Sequence, residues 1–290
     1  MNSKYIKDLE RPEVYHYLTS GIGPRPIALV STISNKNVIN LAPFSFFNVF
    51  SVTPPIVAFS PVRRGKDGSI KDTLSNIQET KECVIQVVTS SIAEQVNMCS
   101  IEYSNDVNEF VKAGLTMEDS LEVKPPRVKE SPFQMECKLK DIISFGEGGG
   151  AGQLVLCEVL LFHVDDSILK DGKIDPHALD TVGRNGGSWY TRSNVNSLFE
   201  LPRPPATSCL GYDKLPKFIL QSKILSAHNI TQLASSLEIP TIEEAKNYFE
   251  KNENSKNLTS KEDTDILIKE FLDNENIEDA WKLLVYLENS

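Results

Sequence analysis

The residues best suited to chemistry lie in a short stretch, 40–48, which reads NLAPFSFFN. Pro43 lacks a backbone N–H and has a fixed φ, so the chain around Ala42 is not expected in the middle of a sheet. The phenylalanines offer apolar walls, while Ser45, Asn48 and free backbone groups offer directional hydrogen bonds. That mixture suits a flat heteroaromatic ring with polar edges. Each phenylalanine taken singly also suits the core of a strand.

Residues 25–32, RPIALVST, form a strand-like run that ends in two hydroxyl groups, Ser31 and Thr32. Hydroxyl and backbone N–H groups can donate hydrogen bonds to a phosphate or to a ring carbonyl. This end of the strand is therefore a candidate for ligand binding. The alternative is an ordinary polar strand end at the surface.

A basic loop with two glycines precedes a predicted helix in residues 63–73, RRGKDGSIKDT. Free N–H groups and the helix dipole favour an anion at a helix N-terminus. Arg64 and Lys71 add positive charge and Thr73 adds a hydroxyl, so this loop is a candidate phosphate site in a chain of net charge −10. The alternative is a solvated loop in which Asp72 caps the helix.

Other site chemistries have little support in the sequence. Residues 146–152 contain GxGxxA, but a strand is predicted after them, whereas a dinucleotide fingerprint requires a helix there. The four histidines form no HxxxH pair and accompany no GxSxG motif, and the five cysteines form no CxxC pair. We therefore predict no Rossmann domain and no metal site. Cys137 and Cys157 are predicted to be buried, reduced thiols.

Charge and apolar pattern exclude some classes of partner. A net charge of −10 over 290 residues argues against nucleic acid. The apolar runs are far shorter than the roughly 20 residues of a membrane-spanning helix, so no membrane partner is expected. The N-terminal residues contain no apolar signal core, and we expect a cytoplasmic protein.

The elements that must position these residues are mainly strands. Runs of β-branched and aromatic residues predict strands at 26–33, 44–52, 56–60, 83–89, 133–143 and 154–164. Few helices separate them, which favours an antiparallel barrel over repeated βαβ units. Helices are predicted from Asp72 or Thr73 to about residue 79 and from Ser90 or Ser91 to about residue 99.

The composition changes after residues 202–205, PRPP. From Gln221 onward there are 14 acidic residues and 7 lysines, which gives a charge of −7. Thr241 and Glu244 form a predicted capping box, and apolar periodicity predicts further helices at 263–272 and 277–287. We therefore predict two domains, residues 1–205 and an acidic, helical C-terminal extension at 206–290.

Several stretches in order resemble the flavin reductase-like family with an FMN-binding split β-barrel, of the flavoredoxin type. The matching strings are RPIALVST (25–32), NLAPFSFFNVFSVTPP (40–55), KDTLSNI (71–77), EF and AGLT (109–116), SPFQMEC (131–137) and VGRNGGSWY (182–190). Together they cover about residues 10–205, and the tail beyond about residue 215 lies outside the resemblance.

The resemblance implies a mainly β fold, a six-stranded Greek-key split β-barrel with flanking helices, which forms a homodimer. It implies FMN near the subunit interface, with NAD(P)H as electron donor. The residues implied at the phosphate end are Ser31, Thr32, Lys71 and Thr73, next to the charge of Arg64. The residues implied around the isoalloxazine ring are Asn40, Ala42, Pro43, Ser45 and Asn48. Arg184 and Tyr190 would close the site.

Three functions are compatible with these residues. The first is an NAD(P)H:flavin oxidoreductase in which the flavin carries the chemistry and no catalytic side chain is required. The second is a flavin-binding electron carrier or storage protein that does not itself oxidise NAD(P)H. The third is an interaction module whose acidic tail docks a partner, such as a protein electron acceptor.

Overall fold

The structure is a computed structural model that describes residues 1–201, 208–251 and 261–289. It divides into two compact units, Met1–Phe199 and Glu200–Ser290, and each is described by itself. The predicted domain boundary between residues 205 and 206 lies outside the described residues.

The first unit is built around strands. Their bounds are β1 (Ala28–Ile33), β2 (Ile39–Phe44), β3 (Phe47–Val52), β4 (Pro55–Phe59), β5 (Glu82–Val87), β6 (Met117–Glu118), β7 (Arg127–Val128), β8 (Phe133–Ser144), β9 (Gln153–Val164), β10 (Leu169–Lys170), β11 (Lys173–Ile174), β12 (Val182–Arg184) and β13 (Tyr190–Arg192).

Seven of these strands form one antiparallel sheet in the order β2-β1-β5-β8-β9-β4-β3. The pairs β6/β7, β10/β11 and β12/β13 are separate two-stranded ribbons. The sheet therefore has one strand more than the predicted six, and hydrogen bonds do not close it into a ring among the described residues. Its two edges, β2 and β3, follow each other in the chain and are separated only by Ser45 and Phe46.

The sequence prediction missed β2 because Pro43 interrupts it. In the structure Pro43 lies opposite Leu29 of β1, and β2 pairs only with that strand. A proline is tolerated in an edge strand because the side without a neighbour needs no N–H donor. The expectation that the chain at Ala42 is not central in the sheet is thus consistent with its edge position.

Helices flank the sheet in the first unit and make up most of the second. Their bounds are α1 (Arg11–Gly21), α2 (Asp72–Thr80), α3 (Ala93–Met98), α4 (Glu109–Ala113), α5 (Pro176–Leu179), α6 (Lys217–Leu220), α7 (Ala227–Ala234), α8 (Ile242–Lys251), α9 (Lys261–Asp273) and α10 (Ile277–Glu288). Short 3-10 turns lie at Ile6–Asp8, Asp166–Ile168 and Tyr212–Lys214.

Two predicted helix caps are wrong. Helix α2 is preceded by Lys71 in an extended conformation, and no side chain caps it, although Asp72 or Thr73 was expected there. Helix α3 follows Ile92 and also has no side-chain cap, so Ser90 and Ser91 do not cap it. Helix α2 already includes Asp72 and Thr73, and α3 begins two residues after Ser91, so none of these side chains stands at the N-cap position.

Two apolar clusters hold the first unit together on opposite faces of the sheet. One cluster joins alternate residues of β1 and β5 to the apolar face of α2 and contains Phe59, Leu74 and Ile77, all at most 1% exposed. The other packs Leu29 and Phe110 among residues from the α3 and α4 region. Helix α2 is thereby fixed against the sheet at its apolar face, which positions its N-terminus beside β2.

A buried carboxylate fixes the loop that precedes β7. Glu136 of β8 is fully buried and accepts backbone N–H groups from Leu121 at 2.8 Å, Glu122 at 2.6 Å and Val123 at 3.1 Å. Its Oε1 also lies 2.6 Å from Nε2 of His163 on β9. Burial alone would raise the pKa of Glu136, but these hydrogen bonds outweigh burial and lower the pKa below its ordinary value.

The glycine-rich residues 146–152 connect β8 to β9, which pair as an antiparallel hairpin. This agrees with the sequence argument against a dinucleotide fingerprint, because a strand and not a helix follows the glycines. Gly149 packs closely against the loop that contains Arg64. A Cβ atom there would lie 2.9 Å from the carbonyl oxygen of Gly65 and 3.0 Å from that of Arg64.

The cysteines on the sheet are buried thiols, as predicted for Cys137 and Cys157. Cys83 and Cys157 place their sulfur atoms 3.7 Å apart inside the first cluster. Among the described residues, no helix is both long and apolar enough to cross a membrane. The described part of the chain also contains no group of three His, Cys, Asp or Glu side chains arranged to hold a metal ion.

The second unit has its own apolar core, which Trp281, Leu283 and Leu284 of α10 share with residues of the other helices. The capping box predicted at the start of α8 is confirmed. Thr241 N donates to Glu244 Oε2 at 2.8 Å, and Glu244 N donates to Thr241 Oγ1 at 3.3 Å. The predicted helices at 263–272 and 277–287 correspond to α9 and α10.

Leu284→Ala is expected to lower the free energy of unfolding of the second unit by about 2–5 kcal/mol, because it leaves a cavity in that core. Trp281 is buried in the same cluster, so its fluorescence in a Trp189→Phe background reports this transition. Leu237→Ala is the control, since Leu237 is 60% exposed and its change should stay within about 0.5 kcal/mol. Equal effects of the two substitutions would contradict the assigned core.

Candidate functional site

Two neighbouring cavities lie along β2 in the first unit. The large cavity has a volume of about 250 Å³ and is lined by Tyr15, Ile27, Pro43, Ser45, Val88, Ala93, Val96, Asn97, Ser100, Val182, Arg184 and Tyr190. The small cavity has a volume of about 60 Å³ and is lined by Asn40, Ala42, Pro43, Arg64, Lys71, Asp72, Thr73, Cys99, Ser100, Ile101, Glu102, Tyr103 and Glu109. Pro43 and Ser100 line both, so the cavities adjoin.

Nine of the twelve residues predicted for the site line these cavities. The small cavity contains Asn40, Ala42, Pro43, Arg64, Lys71 and Thr73. The large cavity contains Pro43, Ser45, Arg184 and Tyr190. The residues expected at a phosphate thus cluster at one end, and those expected at the ring and its closure extend toward the other.

Ser31 and Thr32 do not line either cavity. The hydroxyl of Ser31 donates to the carbonyl of Pro126 at 2.5 Å, on the face of β1 that also carries Leu29. Thr32 points to the opposite face, where its hydroxyl accepts the side-chain amide of Asn76 at 3.0 Å. Successive residues of a strand point to opposite faces, so the two hydroxyls cannot converge on one ligand.

Asn48 also lies outside the two cavities. It belongs to β3, at the other edge of the sheet from β2, and its side-chain oxygen accepts the N–H of Val49 at 2.8 Å. Phe46 and Phe47 separate it in the chain from Ser45, which does line the large cavity. Its predicted contact with the ring remains a prediction.

The start of α2 presents positive charge to the small cavity. No side chain caps this helix, and no cap competes for the first N–H groups of its N-terminus. Burial, followed by the nearby charge of Arg64, lowers the pKa of Lys71, while Glu102 and Asp72 act in the opposite direction. The ion pairs of this cavity among the described residues are those of Arg64 with Asp72 and Glu102, and none involves Lys71. The Lys71 Nζ lies 5.9 Å from the centre of the Phe44 ring, a contact that leaves its N–H donors available to an anion in the cavity.

A hydrogen-bond network sets the position of Thr73. The side-chain amide of Asn40 donates to the hydroxyl of Thr73 at 2.9 Å, and Asn76 of the same helix donates to Thr32. The network joins β1 and β2 to the first turn of α2. Thr32 therefore supports the site through another residue and does not line it.

The guanidinium of Arg64 is already engaged. It lies 3.2 Å from Asp72 and 3.2 Å from Glu102, and it also donates to the carbonyl of Ile70. Arg64 was expected to add positive charge beside a phosphate. In the structure two carboxylates compensate that charge, and its role at a phosphate remains a prediction.

At the other end, Arg184 and Tyr190 face each other across the β12/β13 ribbon. The guanidinium carbon of Arg184 lies 4.5 Å from the centre of the Tyr190 ring, a cation–π contact. Backbone hydrogen bonds of 2.8 and 2.9 Å tie Arg184 to Arg25, which precedes β1. The ribbon is thus fixed against the sheet beside the large cavity.

Sequence reasoning missed several lining residues because they come from distant segments with no motif of their own. Tyr15 belongs to α1, Ser100 follows α3, and Glu109 begins α4. The EF string at 109–110 was noted for its resemblance to the family, but it was given no role. Glu109 accepts the N–H of Leu41 at 2.9 Å and so fixes β2 beside the small cavity.

Two titratable groups that line the small cavity have raised pKa values. Burial raises the pKa of Glu109, and its hydrogen bond from Leu41 opposes that shift. Burial, followed by the charge of Glu109, raises the pKa of Cys99 to about 12. The Cys99 thiol therefore stays protonated near neutral pH and is not an activated nucleophile. The site as a whole suits binding of an anion and an adjoining flat group.

Comparisons with known proteins identify the family of this chain. The flavin reductase like domain family matches residues 21–178. An uncharacterized protein of Halalkalibacterium halodurans is 40% identical over 198 residues, which cover 68% of this chain and 93% of that protein. The family match ends before Arg184 and before the second unit.

Solved structures are also similar over the first unit. Nitrilotriacetate monooxygenase component B of Bacillus cereus aligns with a TM-score of 0.65 at 31% identity, over 69% of this chain and 98% of that chain. A protein of Shewanella frigidimarina with a split barrel domain aligns with a TM-score of 0.58 at 30% identity, over 68% of this chain and 96% of that chain. With its split-barrel relatives and a match over more than half of its length, this chain belongs to the flavin reductase like domain family.

Proposed function

We propose that this chain is an FMN-binding oxidoreductase that takes electrons from NAD(P)H and passes them to flavin. The observation that carries the proposal is the pairing of the two cavities. The small cavity has an available ammonium group and a helix N-terminus at one end, and it opens beside a larger cavity with both apolar and polar lining.

The small cavity fits a phosphate group. Lys71 and the N-terminus of α2 supply positive charge, and Thr73 supplies a hydroxyl that Asn40 holds in place. A volume of about 60 Å³ allows about four to six water-sized groups. The four oxygens of a phosphate are of that size, so the residues present fit the end group of FMN.

The large cavity fits the ring system. Its volume of about 250 Å³ is just below the usual range of about 300–1,000 Å³ for small-molecule sites, and one side is open to solvent. Pro43 and Val182 provide apolar surface, while Ser45 and Asn97 provide hydrogen-bonding groups. Tyr190, held by Arg184, would cover part of the open side.

A bound flavin would supply the redox chemistry, by accepting a hydride and passing on its electrons. The chain's own residues bind and orient. Lys71 holds the anionic end, the fixed backbone of β2 positions the ring edge, and apolar residues of the large cavity exclude water from one face. We assign no acid, base or nucleophile, in line with the raised pKa of Cys99.

The edge strand β3 bears on how the chain assembles. Three residues of the edge strand β3, Val49, Phe50 and Val52, are 64%, 61% and 84% exposed. An apolar edge strand of this kind is normally covered, which supports a homodimer.

We further propose that β2 and β3 act as one bent strand, so that the sheet is a six-stranded Greek-key split β-barrel. A cytoplasmic location and a small-molecule or protein electron acceptor are part of the same proposal.

The test is an absorption spectrum of the purified chain, taken without air before and after adding FMN and then NADH or NADPH. We expect a shift of the flavin bands on binding and their bleaching by at least one nucleotide. If FMN binds but only dithionite reduces it, the protein is an electron carrier or storage protein. If FMN does not bind, the two cavities serve another ligand and the proposal is wrong.

A further inference from the structure

The Arg64 side chain joins two walls of the small cavity. Its Nη2 lies 3.2 Å from Oδ2 of Asp72, the first residue of α2. Its Nε lies 3.2 Å from Oε1 of Glu102, in the segment that follows α3. All three residues line the small cavity, and the guanidinium also donates to the carbonyl of Ile70. We call this set of ion pairs the Arg64 bridge.

The bridge leaves the cavity with a small volume and a defined charge. About 60 Å³ is enough for the oxygens of one phosphate but not for a nucleoside. Arg64, Asp72 and Glu102 together carry one net negative charge, since one cation faces two carboxylates, and Glu109 adds a further carboxyl group to the lining of the same cavity. Lys71 is therefore the cation that a ligand meets, and a second phosphate group beyond it would face the excess carboxylate charge.

A ligand whose ring occupies the large cavity reaches the small cavity past Pro43 and Ser100, which line both. Its first phosphate then lies among Lys71, Thr73 and the start of α2. Any group attached beyond that phosphate must leave the small cavity by another route. The Arg64 bridge spans two of its walls, and the partly exposed carboxylates of Asp72 and Glu102 lie where the cavity meets solvent.

We propose that the Arg64 bridge determines specificity for a flavin mononucleotide, whose chain ends at its phosphate, over a flavin adenine dinucleotide. This rests on the proposed function, since it assumes that the two cavities hold a flavin. Glu102 and Asp72 act here as specificity-determining residues. They disfavour the longer ligand by their negative charge, and they do not bind the phosphate.

The test measures dissociation constants of FMN, FAD and riboflavin for the full chain and for Glu102→Gln and the double variant Glu102→Gln/Asp72→Asn. Glu118→Gln is the matched control, because Glu118 forms a comparable exposed ion pair with Arg127 at 3.0 Å and does not line either cavity. Circular dichroism establishes that each variant is folded. The ratio of FAD to FMN affinity cancels the general gain in anion binding that follows removal of a carboxylate.

We expect the wild-type chain to bind FMN more tightly than FAD. Glu102→Gln should raise the FAD-to-FMN affinity ratio about fivefold, the scale of one exposed ion pair, and the double variant should raise it further. Riboflavin affinity and the control variant should be unchanged. An unchanged ratio in both variants, or equal wild-type affinity for FMN and FAD, would overturn the specificity proposal alone. If none of the three flavins binds the wild-type chain, the proposed function fails and this inference fails with it.

Discussion

Replacing Glu136 by glutamine is expected to lower the free energy of unfolding of the first unit by about 1–3 kcal/mol, the scale found when a buried hydrogen-bond donor is left without its acceptor. The carboxylate of Glu136 is buried and accepts three backbone N–H groups besides its contact with His163. A glutamine amide would turn an N–H₂ group toward donors, so at least one buried N–H would lose its acceptor.

The pH dependence of this stabilisation has a definite sign. The pKa of Glu136 is lower in the folded chain than the ordinary value of 4.5. Its contribution is therefore fully present above pH 4.5 and is lost as the pH falls below that value through the folded-state pKa. In this acidic window the free energy of unfolding should fall for the wild-type chain, and it should not show this fall for the Glu136→Gln variant.

Urea unfolding followed by the β-sheet circular dichroism signal, at neutral pH and in this acidic window, measures both effects. Glu158→Gln is the control, because Glu158 of β9 forms a solvent-exposed pair with Lys140 at 3.6 Å. Such pairs contribute about 0–1 kcal/mol. If Glu136→Gln and Glu158→Gln were equally mild at neutral pH, the assigned role of Glu136 would be incorrect.

Lys71→Ala is expected to weaken FMN binding by about 1–3 kcal/mol, the usual contribution of a charge-assisted hydrogen bond. The side chain of Lys71 does not cap α2, so the substitution should leave the helix start unchanged. Riboflavin lacks the phosphate, and its affinity should be the same for both proteins. This difference separates a phosphate contact from a general disturbance of the site.

The pH dependence of FMN affinity provides a second measurement. Because burial lowers the pKa of Lys71, its charge is lost at a lower pH than for an exposed lysine. FMN affinity should fall as the pH rises through that pKa, and Lys71→Ala should lack this step. Isothermal titration against pH measures both, with Lys66→Ala as control, since Lys66 is an exposed lysine of the same loop. Wild-type FMN affinity in the Lys71 variant would remove Lys71 from the site.

Sequence reasoning was most successful where residues of one motif share an element. Asn40, Ala42 and Pro43 lie on β2, and Lys71 and Thr73 lie at the start of α2. Residues that are close in sequence are therefore also close in the small cavity. The same reasoning predicted the start of α8, because a capping box is a local pattern.

Sequence reasoning was less successful where strand geometry or a partner distant in sequence determines the position of a side chain. Ser31 and Thr32 are adjacent in sequence, but strand alternation places them on opposite faces. Arg64 looked available because its partner Glu102 lies 38 residues away. Glu109 enters the site through a five-residue helix that no periodic pattern indicates. The fold class could be predicted from strand composition, whereas the pairing order of the seven strands depends on contacts that no local pattern contains.

The order of the strands also has a consequence for how the chain folds. The β8/β9 hairpin closes a connection of eight residues at its inner pair, Ser144 and Gln153, whereas the inner pair of β4 and β9, Phe59 and Val155, encloses 95 residues. A connection about twelve times longer adds about 2 kcal/mol of closure entropy. The hairpin can therefore form first from local contacts, and the strand edges that carry the cavities join a sheet whose centre already exists.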